Sequence, residues 1–79
     1  MSYYIIVFKN TLDAMNGEKT VKELDLNFRM MPTPTSITQS CGICVRVENL
    51  EDINKILEKE NFTYKNIYLR ENAQYTLFK

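Results

Sequence analysis

Apolar residues change their spacing several times along this chain, and each change marks an element. Tyr3 to Lys9 (YYIIVFK) is a continuous β-branched and aromatic run, bounded by Asn10. With both faces apolar it predicts a central strand. Asn10-Thr11-Leu12-Asp13 predicts a helix start, because Asn10 can cap free amides and Asp13 puts negative charge in the first turn. Ala14, Met15, Val21 and Leu24 form an approximate apolar stripe, so this helix runs from about Thr11 to Leu24. Gly17 inside it costs about 1 kcal/mol against alanine, or lets a strand pack close. Leu26, Phe28 and Met30 alternate with Asn27, Arg29 and Met31, which predicts a half-buried strand ending at Pro32. Ile43, Val45 and Val47 alternate with Cys44, Arg46 and Glu48 as a third strand. Asn49-Leu50-Glu51-Asp52 repeats the capping pattern. Leu50, Ile53, Ile56 and Leu57 then line one side of a second helix, to about Glu60. Tyr64 to Arg70 is a fourth strand, Glu71-Asn72 a turn, and Gln74 to Phe78 a fifth strand closing a terminal hairpin.

The order is β-α-β, a loop, β-α-β and one more strand. Two such halves predict an α+β, ferredoxin-like split βαβ sandwich spanning residues 1–79 as a single domain. Its antiparallel sheet carries two helices on one face and an added C-terminal strand. Between the halves, Met31 to Cys44 follows no period. That stretch holds both prolines, one of the two glycines and both cysteines of the chain. Joining two adjacent antiparallel strands needs only a few residues. The excess length points to function.

Composition narrows the functional classes. Ten basic residues balance ten acidic ones, which argues against the basic face a nucleic-acid-binding protein needs and gives no attraction to an anionic membrane. Zero net charge is compatible with a homodimer. No positive region precedes the apolar run at residues 3–8, and the run is too short for a secretory signal. Nothing approaches the roughly 20 apolar residues of a membrane helix. The expected location is therefore cytoplasmic, where two cysteines read as thiols or a reactive site and not as a structural disulfide. The chain has no histidine, so the commonest general base and metal ligand is missing. No cofactor or metal is implied.

The candidate chemistry lies in the loop. Cys41 follows Ser40 and precedes Gly42. Gly42 relieves crowding, permits positive φ and lets a partner or the backbone approach closely. The hydroxyls of Ser36, Thr38 and Ser40 can hydrogen-bond a thiolate or an anion. Arg29 and Arg46 lie on neighbouring strands; if they reach Cys41 they lower its pKa from about 8.5. Pro32 and Pro34 stiffen the loop and stop a strand edge. The bland alternative is that Cys41 is a small buried apolar residue, as free cysteines often are. Cys41-Gly42-Ile43-Cys44 is a C-x-x-C, but a following strand sets the two thiols about 10 Å apart, beyond disulfide range. Cys44 then reads as an incidental, half-exposed thiol on the face with Arg46 and Glu48. The five tyrosines read as sheet packing.

Arg29-Met30-Met31-Pro32-Thr33-Pro34, then Ile37, then Ser40-Cys41-Gly42-Ile43, resembles a family of small bacterial proteins known as selenium/sulfur carrier protein-like. The opening strand YYIIVF and the Ala14-Met15 helix start are similar to it as well, so the resemblance covers about residues 3–60. It implies a thiol-based carrier in which Cys41 receives sulfur or selenium as a persulfide or selenosulfide and hands it on between donor and acceptor proteins. Such a carrier is non-enzymatic and has no cofactor. Thiolate attack on a sulfur needs no general base on the carrier, so the absence of histidine is no obstacle. The chain departs from well-known sulfur carriers in lacking their C-P-x-P arrangement, since here the prolines precede the cysteine. Cys44 is not part of the matching motif. The other reading is a non-catalytic module that binds a small ligand or partner chain through the Pro32–Gly42 loop.

Overall fold

The computed structural model describes residues 2–37 and 42–79. Five strands and two helices follow the expected order: β1 (Tyr3–Val7), α1 (Thr11–Glu23), β2 (Phe28–Pro32), β3 (Ile43–Val47), α2 (Leu50–Leu57), β4 (Asn66–Glu71) and β5 (Gln74–Leu77). The strands form one sheet in the order β2-β3-β1-β4-β5, and every pairing is antiparallel. β1 lies at the centre, as its two-sided apolar sequence requires. No described helix is long and apolar enough to cross a membrane.

The two faces of the sheet are built differently. On one, Ile6, Val45, Val47 and Ile67 pack with Phe8, Ala14 and Val21 and with Ile53 and Ile56 of α2, all fully buried. Tyr4, Phe28 and Met30 extend this layer from its margin. On the other, a smaller group of Ile5, Val7 and Cys44 is covered by Ile37 from the loop and flanked by Tyr3, Met31, Tyr68 and Tyr75.

Local chemistry explains most of the element ends. The Asn10 side chain accepts a hydrogen bond from the Asp13 N–H at 2.8 Å and so starts α1. At its other end Leu26 N–H donates to the Val21 carbonyl and Asp25 N–H to the Lys22 carbonyl, with Asp25 at φ 56°. This is a Schellman stop with aspartate in the left-handed position glycine usually takes. The apparent repeat of the cap at Asn49 is not realised, because Asn49 makes no side-chain cap bond. Its backbone carbonyl still accepts from Ile53 N–H.

α2 is also shorter than its pattern predicts. After Leu57 the chain tightens into turns closed by Lys59 N–H to Ile56 and Phe62 N–H to Lys59. These bring the Phe62 ring to 5.9 Å from Phe8 and 6.0 Å from Tyr64. The expected stripe loses Leu50, which is exposed, as are Leu12 and Met15 of α1. The fourth strand begins at Asn66, not Tyr64, because Tyr64 stays with the helix-side core. The terminal hairpin turns at Asn72-Ala73, both at positive φ, the signature of the two-residue turn that matches strand twist. Gly17 takes the second of its two expected roles. A Cβ there would lie 2.5 Å from the Phe8 ring tip, so the glycine lets Phe8 close onto the helix.

Candidate functional site

The loop between β2 and β3 begins as a continuation of the hairpin. Pro32 pairs with Ile43 as the last rung of the ladder. Beyond it, Thr33 N–H donates to the Gly42 carbonyl at 3.0 Å and closes the base of the loop. Thr33 is 4% exposed, so this closure is sheltered from water. A turn comes next, in which Ile37 N–H donates to the Pro34 carbonyl at 3.1 Å. The turn folds the chain back over the sheet and seats the Ile37 side chain, 5% exposed, on Ile5, Val7 and Cys44. The two prolines therefore flank the bonded step at Thr33, and Ile37 pins the loop to the sheet.

The candidate residues Ser40 and Cys41, together with Thr38 and Gln39, lie outside the described residues. Gly42, which follows Cys41, has neither positive φ nor crowding: a Cβ there would meet open space. Of the reasons for a glycine at this position, relief of crowding and left-handed geometry are thus removed, and room for a partner's close approach is left.

Cys44 differs from expectation. It is fully buried and not half-exposed. Alternation along β3 places it on the face without helices, as the sequence suggested. What the alternation could not convey is that Ile37 comes over to cover that face. The Cys44 sulfur lies 3.8 Å from the Pro32 carbonyl oxygen, the weak S–H···O contact a buried thiol can make. Its neighbours there are the apolar side chains of Ile5, Val7 and Ile37, the setting of a buried cysteine that packs as a small apolar residue.

Arg29 and Arg46 come together with each other. They are directly paired across β2 and β3, with Arg29 exposed. Arg46 Nε donates to Glu48 Oε1 at 3.0 Å, and a second guanidinium nitrogen lies 2.9 Å from the same oxygen. The guanidinium carbon sits 3.8 Å from the centre of the Tyr3 ring. Arg46 is three strand residues, roughly 10 Å, along β3 from the loop end, and Glu48 and Tyr3 hold its charge there. Beside this pair is a cavity of about 130 Å³ lined by Asn27, Phe28, Arg29, Arg46 and Glu48.

Two further features of this face emerge only in the structure, the Arg70–Tyr75 contact and the anchoring role of Ile37, a residue that sequence reasoning named only within its motif. Arg70 stands 4.5 Å over the Tyr75 ring. Burial raises the Tyr75 phenol above its ordinary value, a hydrogen bond with the Tyr3 side chain adds to the rise, and the Arg70 charge opposes it. Ile37 is the loop's anchor. The signal for Ile37 was its isolation as the one apolar side chain in a hydroxyl-rich run. For Arg70 and Tyr75 it was their parity on β4 and β5, legible only once the hairpin register is known. Among the described residues no group of three histidines, cysteines or carboxylates could hold a metal.

These features define a small α+β domain with an anchored, proline-braced loop at one end of its sheet. The family described as "Putative Se/S carrier protein-like" matches residues 3–69, and the chain belongs to it. No curated protein and no solved structure matches the chain.

Proposed function

We propose that this protein is a thiol-based carrier of sulfur or selenium, with Cys41 as the acceptor. The observation that carries the reading is membership of the Se/S carrier protein-like family over residues 3–69, a span that contains Ser40-Cys41-Gly42. Burial of Cys44 supports it, because the chain has only two cysteines and one is sequestered in packing. The Cys41 thiolate attacks the terminal sulfur of a donor persulfide. A new S–S bond forms on Cys41, the donor's S–S bond breaks, and the donor leaves as its thiolate. The step is redox-neutral and needs no base beyond what generates the thiolate. Passing the atom on is the same exchange in reverse, with an acceptor thiolate attacking the terminal sulfur.

The scaffold in this reading is ferredoxin-like with a fifth strand added beside β4. Its support is the strand order, in which β3 lies between β1 and β2, and β1 between β3 and β4. Pro32, Pro34 and Gly42 brace and open the approach to Cys41, and Ser40 offers a hydroxyl to the incoming atom. The protein works in the cytoplasm between donor and acceptor proteins, without a cofactor.

Incubation with a cysteine desulfurase and free cysteine, followed by intact-mass measurement under non-reducing conditions, tests the assignment. Wild type should gain the mass of one sulfur atom and lose it on thiol reduction, and Cys41→Ser should gain none. Equal labelling of Cys41→Ser would sink the carrier assignment and leave the loop as a non-catalytic binding element.

A further inference from the structure

The zero net charge of this chain conceals a segregation of its charges by chemical type. All three arginines lie in strands, no lysine does, and Glu71 at the end of β4 is the only strand carboxylate. Strand register puts the three arginines on one face. Arg29 pairs with Arg46, which pairs with Ile5; Arg70 pairs with Tyr3 and Tyr75. Ile5, Tyr3 and Tyr75 all belong to the side without helices. Among the described residues, the one carboxylate bridged to any arginine is Glu48, on Arg46. Leu77, 60% exposed, shares this face through its pairing with Tyr68.

We propose that this face is the docking surface for an acidic segment of the donor or acceptor protein. The identity of that partner rests on the carrier reading above. Arginine differs from lysine in offering a planar fork that binds carboxylates two-pronged and stacks on aromatic rings. Tyrosine and arginine are the residues that dominate protein–protein hot spots. Glu48 already bridges Arg46, so the exposed Arg29 beside it and Arg70 at the other side of the face are the guanidinium groups a partner carboxylate would engage. The face is continuous with the loop, since Ile37 sits on the same apolar group as Tyr3 and Tyr75. A protein docked there lies against the chain segment that leads to Cys41.

Two other occupants fit less well. A second copy of the chain would set arginines against arginines across a two-fold axis. Single-stranded nucleic acid needs ring faces to stack on, and guanidinium groups already lie over Tyr3 and Tyr75. The sheet face is also small, roughly 20 by 15 Å from strand spacing and rise. That is the scale of a transient contact, which suits a carrier that must leave after transfer.

The test uses the full chain carrying Cys41→Ser, so that thiol chemistry cannot contribute. Amide shifts are followed by NMR while a short glutamate-rich peptide is added at low salt. Parallel titrations use a lysine-rich peptide and a single-stranded RNA of similar length. The expected result is saturable shifts centred on Tyr3, Arg29, Arg46, Arg70 and Tyr75 with the acidic peptide alone, fading as salt is raised. Arg29→Glu with Arg70→Glu should weaken binding about tenfold. Arg29→Glu alone, at an exposed site, gives a smaller loss should the double variant fold poorly. Shifts on the lysine-bearing helices, no shifts, unchanged binding by Arg29→Glu, or tighter binding of the RNA would each overturn the proposal. Because the probe protein lacks Cys41, this outcome is independent of the desulfurase experiment.

Discussion

The two faces of the sheet make opposite use of the same five strands. The helix side buries a continuous layer of fully enclosed side chains from β1, β3 and β4 and both helices. The open side buries only three strand residues, and does so with one loop side chain and a border of tyrosines. Burial of apolar area is the main favourable term in folding, so stability resides chiefly on the first face. The second can afford arginines, a tyrosine hydrogen bond and an irregular loop because little of the core depends on it. Stability is in this way concentrated on one side of the sheet, a few ångströms of backbone from the side that carries the arginines and the loop.

That division can be broken from either side. The largest effect is expected from Ile56→Ala on the helix face, where truncating a fully buried isoleucine should cost about 2–5 kcal/mol in denaturant unfolding. Ile37→Ala on the open face should cost less, because the loop can partly collapse. It should instead speed the reaction of Cys44 with a thiol reagent, measured in the Cys41→Ser background. Equal stability losses at the two sites, with Cys44 still inert, would show that the faces are not divided in this way.

A smaller effect is expected at Gly17. Alanine there gains about 1 kcal/mol of helix propensity, but its Cβ would press on the Phe8 ring, and Phe8 is fully buried against Phe62. Overpacking costs about 1–3 kcal/mol, so Gly17→Ala should come out destabilised by about 1 kcal/mol. A stabilised variant would mean that the ring moves freely. The smallest effect belongs to Tyr75. Its pKa is raised in the folded protein, so the neutral phenol is favoured by folding. That contribution is present below the ordinary value of about 10 and is lost as pH rises through the higher folded value. Denaturation midpoints above pH 10 should therefore fall less steeply in Tyr75→Phe than in wild type, and identical slopes would remove Tyr75 from the account.

Much of the fold was legible because it is local. The period of Ile43 to Val47, the two-sided run at β1 and the Asn10–Asp13 cap are set by side chains within a few positions of one another. The errors occur where distant residues decide. Asn49 has the same local signature as Asn10 yet does not cap. α2 stops early because its chain turns to carry Phe62 to Phe8. Cys44 was placed on the correct face and given the wrong exposure, because its cover arrives from Ile37 across the loop.

The candidate site was legible to a different degree. The loop, its prolines and the family motif around Cys41 stand in the sequence itself, since a thiol between serine and glycine is a local chemical statement. The pairing of Arg29 with Arg46 and of Arg70 with Tyr75 is not, because strand register is a long-range property. Composition reported a chain without net charge, since counting residues cannot see direction. The sequence by itself determined the elements, their order and the thiol on offer. Only the tertiary structure decided that Cys44 is sealed away and which sheet face collects the arginines, because burial and charge clustering arise when strands far apart in the chain are laid side by side.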